Sequence, residues 1–278
     1  MSGLSPEETA VCEATLVALQ HDRKLTRVSV WGKVHGTKED YLVAQGFHLD
    51  RYDEVADKTA IANNYNAIDE LPIRFYRLGA DRVTWYDIPK VDEELKAKYA
   101  AYKDQLNKKG LSFEPLVGNE KDVQAEEEAE AEEGDEQKAA PVKLTDEEKL
   151  ALIIDEINHH TGVVPAGAFI LNSRHQIIPN PAFTGLSPEA LSSLDNFYHL
   201  RKPNKDAHGS TATKFMDALS ADEPKGCWAV TTDELTGSVS LRSLWYPGYS
   251  FTAKANSSEF SSFYTGSGQR NVDLPFML

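Results

Sequence analysis

Two cysteines, a pair of adjacent histidines and one Gly-x-Gly are the residues of this 278-residue chain with the most chemistry to offer. Cys12 and Cys227 show no CxxC or Cys/His spacing, so neither a zinc site nor a disulfide framework is indicated, and the setting they suggest is cytosolic. Cys12 falls on the apolar face of a helix. Cys227 sits beside Trp228 with only Lys225 nearby to lower its pKa. Both read as small packed core residues rather than nucleophiles. His159 and His160 point about 100° apart on a helix, too divergent to share a metal easily, and at a helix end they answer the negative pole of its dipole. Gly266-Ser267-Gly268 is followed by Gln269-Arg270-Asn271, Asp273 and Pro275 rather than by a helix, so it does not read as a phosphate cradle. GxSxG and GxxxxGK[ST] are absent. No catalytic, cofactor or metal site is expected.

Contact chemistry is better represented. Leu241-Arg242-Ser243-Leu244-Trp245-Tyr246-Pro247-Gly248-Tyr249 gathers aromatics and an arginine around a Pro-Gly turn, the residue types that dominate protein interfaces. The chain closes on Asp273-Leu274-Pro275-Phe276-Met277-Leu278. Termini usually fray in water and are polar, so an apolar tail demands burial, in the chain's own core or in a partner. The interface candidates are Trp31, Tyr41, Arg242, Trp245, Tyr246, Tyr249, Phe276 and Leu278.

The elements that must position these residues are partly legible. Ser5-Pro6-Glu7-Glu8 is a capping box with proline at the first helical position, and Cys12, Thr15, Leu16 and Leu19 follow on one face. Val28 to Val34 and Tyr41 to Phe47 read as an antiparallel hairpin with a six-residue connection. Gly32 inside it marks a bulge or a close backbone approach. Val83 to Tyr86 is another strand. A helix runs from Asp92 to Lys108, with Leu95, Tyr99, Tyr102 and Leu106 as its stripe and end charges that suit the dipole. Thr145-Asp146-Glu147-Glu148 opens the clearest amphipathic helix, carrying Leu150, Ile153, Ile154 and Ile157. Ser187-Pro188 starts a third, with Leu191, Leu194 and Tyr198 as its stripe, and a short helix is expected around Phe215 to Leu219. From Cys227 onward the chain is β: 227–232, 238–245, Phe251 and 260–264.

Composition bounds the rest. The 26 aromatics (11 Tyr, 11 Phe, 4 Trp) suffice for a core. Net charge is −15, which repels nucleic acid and anionic membranes, and no apolar run approaches a membrane span. The start has no basic or apolar leader pattern. Between Gly118 and Ala140, ten acids stand against Lys121 and Lys138. With no aromatic, this stretch cannot bury enough surface to offset its ordering entropy. It reads as a disordered insertion between an N-terminal part, 1–117, and a C-terminal part, 141–278, which together form one structural unit. The fold class is α+β, with antiparallel hairpins packed against several amphipathic helices.

Three ordered segments resemble the radial spoke head protein 9 family. They are Trp31-Gly32-Lys33-Val34 with Gly36 and Asp40 to Gly46; Val163 to Phe169 with Phe183 to Ser187; and Phe215-Met216-Asp217 through Pro224 to Trp228, Leu241 to Gly248, Tyr264 to Gly268 and the closing Asp273 to Leu278. The resemblance implies a non-enzymatic structural subunit of the radial spoke head in the axoneme of motile cilia and flagella. It implies other spoke-head subunits as partners, indirect contact with the central pair, and a part in regulating dynein-driven beating. It carries over no catalytic residue, cofactor or metal. An adaptor whose C-terminus enters a PDZ-like groove by strand addition is the alternative.

Overall fold

A computed structural model of the chain describes residues 3–47, 73–108, 111, 113–118, 144–171, 177–201 and 216–277. The acidic stretch from residue 119 onward, Phe215 and Leu278 lie outside the described residues.

Helix α1 (Pro6–Asp22) begins at Ser5, whose hydroxyl accepts from the Glu8 N–H while the Glu8 carboxylate accepts from the Ser5 N–H. This is the reciprocal capping box the sequence predicts. Strands β1 (Arg27–Val34) and β2 (Tyr41–Phe47) form the expected hairpin. The register slips by one between Val30 and Gly32. A bulge resets the two-residue alternation. Val28 and Val30 pack toward α1, with Cys12, Leu16 and Leu19, while Trp31 and Val34 pack on the opposite face. Gly32 is required here, because a Cβ would collide with the Tyr264 carbonyl of the neighbouring strand.

Strands β3 (Ile73–Leu78) and β4 (Trp85–Asp87) extend the sheet beyond β2. The expected strand at Val83 starts two residues later, because the Asp81 carboxylate holds the Val83 and Thr84 amides in a turn. Helix α2 (Glu93–Lys108) presents the predicted stripe, with Leu95 and Leu106 buried. Helix α3 (Asp146–Thr161) has a second reciprocal capping box, Thr145 with Glu148, and buries Leu150, Ile153, Ile154 and Ile157.

Beyond α3, strand β5 (Val163–Pro165) is followed by a small hairpin, β6 (Phe169–Leu171) and β7 (Ile177–Pro179). Here two helix expectations are corrected. The helix from Ser187 is one turn, α4 (Pro188–Leu191), then a 3-10 turn Leu194–Asn196. Serine, aspartate and asparagine side chains compete for the backbone: the Ser193 hydroxyl accepts from Asp195 N–H, and the Asn196 amide donates to the Ala190 carbonyl. Tyr198 then lies on strand β8 (Phe197–His199), paired with β5. Where a helix is expected at 215–219, the described residues from Met216 onward form instead a β-bridge from Ala218 to Tyr198 and a 3-10 turn Leu219–Ala221. The backbone bond from His199 N–H to Asp217 O (2.8 Å) holds that segment extended.

Strands β9 (Trp228–Asp233), β10 (Ser238–Ser243), β11 (Tyr249–Lys254) and β12 (Phe260–Gly266) form an antiparallel meander. The chain ends in one turn, α5 (Leu274–Met277). The two hairpin regions are not separate sheets. β12 pairs with β1 in parallel, giving one mixed eight-stranded sheet in the order β4-β3-β2-β1-β12-β11-β10-β9. Its larger core joins Trp31, Tyr41 and Val43 with α3 and with Leu241, Tyr249, Phe251 and Tyr264.

Candidate functional site

Both thiols are buried. Burial, with Glu8 and Glu13 nearby, pushes Cys12 up to about 11; burial and Asp222 do the same to Cys227. Neither is a thiolate at neutral pH. The His160 ring stacks on Tyr246 (centroids 5.9 Å apart) and meets His159 edge-on. Burial first, then the neighbouring His159 and Arg270, bring its pKa down to about 4. No group of three or more His, Cys, Asp or Glu among the described residues is placed to hold a metal ion. In the Gly266-Ser267-Gly268 loop, the Gly268 N–H donates to the buried Tyr264 hydroxyl (2.8 Å), so that amide is spent on packing.

One constellation escaped the sequence. The His199 ring is buried, and its Nε2 lies 2.8 and 2.9 Å from the two oxygens of Asp222. Trp228 Nε1–H donates to the same carboxylate at 2.8 Å, and Arg201 approaches it at 3.8 Å. Burial alone would raise Asp222, but the His199 bond and charge, with Trp228, hold it below the ordinary carboxylate range. A His–Asp pair can orient a general base. Here the pair clamps 217–222 against β8 and β9. The 23-residue separation gives no local spacing by which sequence reading could find it.

The predicted interface residues divide sharply. Trp31, Tyr41, Tyr246 and Tyr249 lie in the core. The Trp31 indole N–H donates to Asn158 Oδ1 (2.8 Å), tying β1 to α3, and the Tyr41 hydroxyl donates to the Gly118 carbonyl (2.7 Å). Tyr249 meets Trp228 edge to face at 6.1 Å. Around Pro247, the Tyr249 N–H closes a turn onto the Tyr246 carbonyl (3.1 Å), with Gly248 at φ 99°, the left-handed position that favours glycine.

Arg242, Trp245 and Phe276 reach the surface. Arg242 is exposed on β10, facing away from the core. Trp245 is half-buried beneath the Arg270 guanidinium, 4.0 Å from its ring centroid, a cation–π contact. Its carbonyl accepts from the Asn271 N–H (2.8 Å). The Asn271 side chain in turn accepts from the Asp273 N–H (3.2 Å), opening α5. Within α5 the apolar tail splits. Leu274 is 2% exposed and belongs to the core, whereas Phe276 is 88% and Met277 71% exposed, with Val272 beside them at 66%. Among the described residues of the tail, Leu274 is buried and Phe276 and Met277 are not. The result is an exposed apolar pair, Phe276 and Met277, on a stem fixed by Leu274.

Fold and surface together define an α+β scaffold with Arg242, Phe276 and Met277 exposed on it. No protein-family model matches the chain. Over 99% of its length it is similar to the radial spoke head protein 9 homologue of Danio rerio, 30% identical across 283 residues and covering 93% of that protein. The homologues of Bos taurus and Homo sapiens are each 28% identical across 288 residues, with 94% of each covered. The chain belongs to the radial spoke head protein 9 family.

Proposed function

We propose that this protein is a non-enzymatic structural subunit of the radial spoke head in the axoneme of motile cilia or flagella. It assembles with other spoke-head subunits and transmits mechanical signals from the central pair side that regulate dynein-driven bending. Family membership along nearly the whole chain supports this reading. The observation that carries it is the exposed Phe276-Met277 knob held by buried Leu274, since two large apolar side chains left in water by an anchored turn are what a permanent interface covers. The PDZ-like alternative fits less well. Strand addition needs an extended C-terminus, and α5 is a helical turn.

The test is recovery of a tagged full chain from motile ciliated cells, with mass spectrometry of what stays bound through a high-salt wash. A stable set of spoke-head proteins is expected. Phe276→Ser with Met277→Ser should weaken that association at least about tenfold (about 1.4 kcal/mol) while leaving the melting temperature unchanged. Recovery of the chain alone, or with cytosolic enzymes, overturns the reading.

A further inference from the structure

The eight-stranded sheet ends in two unlike edges. β4 has three residues. Its Asp87 is paired with Arg23 at 2.8 Å, and the Arg77 guanidinium lies 4.8 Å from the Tyr86 ring centroid. A short strand guarded by charge is a common way to blunt a sheet edge. Among the described residues the opposite edge is longer and carries its one charge, Asp233, only at its last position. β9 runs six residues, Trp228-Ala229-Val230-Thr231-Thr232-Asp233, in unbroken register with β10 from Trp228↔Ser243 to Asp233↔Ser238. It contains no lysine, proline, glycine or bulge, and its β-branched residues suit a pleated strand. In an antiparallel pair, alternate residues of such an edge turn N–H and C=O away from their one partner.

Among the described residues the core layer also stops unfinished at β9. Val230 is paired with Leu241 on the core-facing side, yet Leu241 is fully buried and Val230 is 36% exposed. Two exposed acids bracket the strand. Glu223 precedes it and Glu234 follows it, and neither makes an ion pair among the described residues. The base between them, Lys225, donates to the Ser220 carbonyl (2.6 Å).

We propose that β9 accepts one additional antiparallel strand from a different polypeptide. That strand carries β-branched or apolar residues at the alternate positions that face the Val230 side, and Lys or Arg at each end to meet Glu223 and Glu234. The charges select the occupant. A second copy would set Glu223 of one chain against Glu234 of the other at both ends of the strand, offset only by Lys225, which is drawn to the Ser220 carbonyl, and a molecule of net charge −15 repels itself. The incoming strand completes backbone pairing along six residues and covers Val230, as strand-addition complexes do. The inference rests on the proposed role only for its setting, an assembly in which such a strand is supplied.

The experiment uses the full chain and two synthetic peptides. One reads Lys-Lys-Thr-Val-Thr-Val-Thr-Lys-Lys; the other replaces every lysine with glutamate. Hydrogen–deuterium exchange follows the β9 amides, and fluorescence anisotropy gives the affinities. The basic peptide is expected to slow exchange at Ala229 to Thr232 and to bind at least about tenfold tighter than the acidic one (about 1.4 kcal/mol). The double variant Glu223→Gln, Glu234→Gln should erase that preference with melting unchanged, and Val230→Lys should weaken both peptides. Absence of protection by either peptide overturns the proposal. Equal binding of the two overturns its charge selection. Concentration-dependent protection without peptide overturns it in favour of a second copy. Spoke-head proteins still recovered with the tagged chain in any of these cases leave the proposed function standing and remove only the strand-acceptor edge.

Discussion

At the residue scale, His160 links burial to pH. Folding holds its imidazole neutral with a pKa near 4 against an ordinary value of 6.5. Between those values the unfolded chain binds more protons than the folded one, so stability falls as pH falls through that window. The upper limit is about 3 kcal/mol from this residue by pH 4, and solvent screening of the partly exposed ring lowers the contribution below it. His159 is shifted down in the same way, first by burial and then by Arg201. The lowered carboxylates act at more acid pH. Burial raises Glu8 and Asp40, but bonds and charge from Lys33 hold both below their ordinary range. Their contribution is present at neutral pH and lost as pH falls below about 4. In thermal melts across pH, His160→Gln is expected to shrink the decline between pH 6.5 and 4 and to leave the acid-side loss in place. An unchanged slope in that window would sink the assignment.

At the element scale, the decisive junction is β1 against β12. Parallel strands need a long crossover, and here nearly the whole chain separates Gly32 from its partner Tyr264. The junction works because Gly32 lets the Tyr264 carbonyl approach and because the adjacent bulge returns Trp31 and Val34 to the α3 side. Gly32→Ala must push the strands apart or strain the bulge. Overpacking of this kind costs about 3 kcal/mol at its upper range, read as a shift in denaturation midpoint; a change below about 0.5 kcal/mol would show that the approach is not tight. Glycine inside a strand and the Val-Ser-Val alternation were visible in the sequence. The identity of the neighbour was not, because nothing in residues 27–34 refers to residues 260–266.

At the scale of the whole molecule, we propose that parts 1–117 and 141–278 behave as one unit although an acidic stretch lies between them. Strands from both parts share the eight-stranded sheet, and Trp31, Tyr41 and Leu116 share a core with α3. Tyr41 reaches Gly118, and the Val117 N–H donates to Asp146 on α3 (3.0 Å). Proteolysis within 118–140 is expected to yield two fragments that co-elute on gel filtration and separate only in denaturant. Clean separation in buffer would divide the protein into two domains.

What the sequence determined by itself is what neighbouring residues decide among themselves. The capping boxes at Ser5 and Thr145 and the i, i+3, i+4 stripe of α3 predict helices that form as expected, because their hydrogen bonds close within a few residues. The β1–β2 hairpin and the meander beginning at Trp228 were legible from alternation and turn residues. Tertiary structure alone decided what depends on meeting distant chain. It shortened the helix after Ser187 to one turn, because Phe197 to His199 found β5. It brought His199 to Asp222. It took Trp31, Tyr41, Tyr246 and Tyr249 into the core while leaving Phe276 in water. An aromatic side chain has the same chemistry in a core as at an interface, so only the packing around each one could tell them apart.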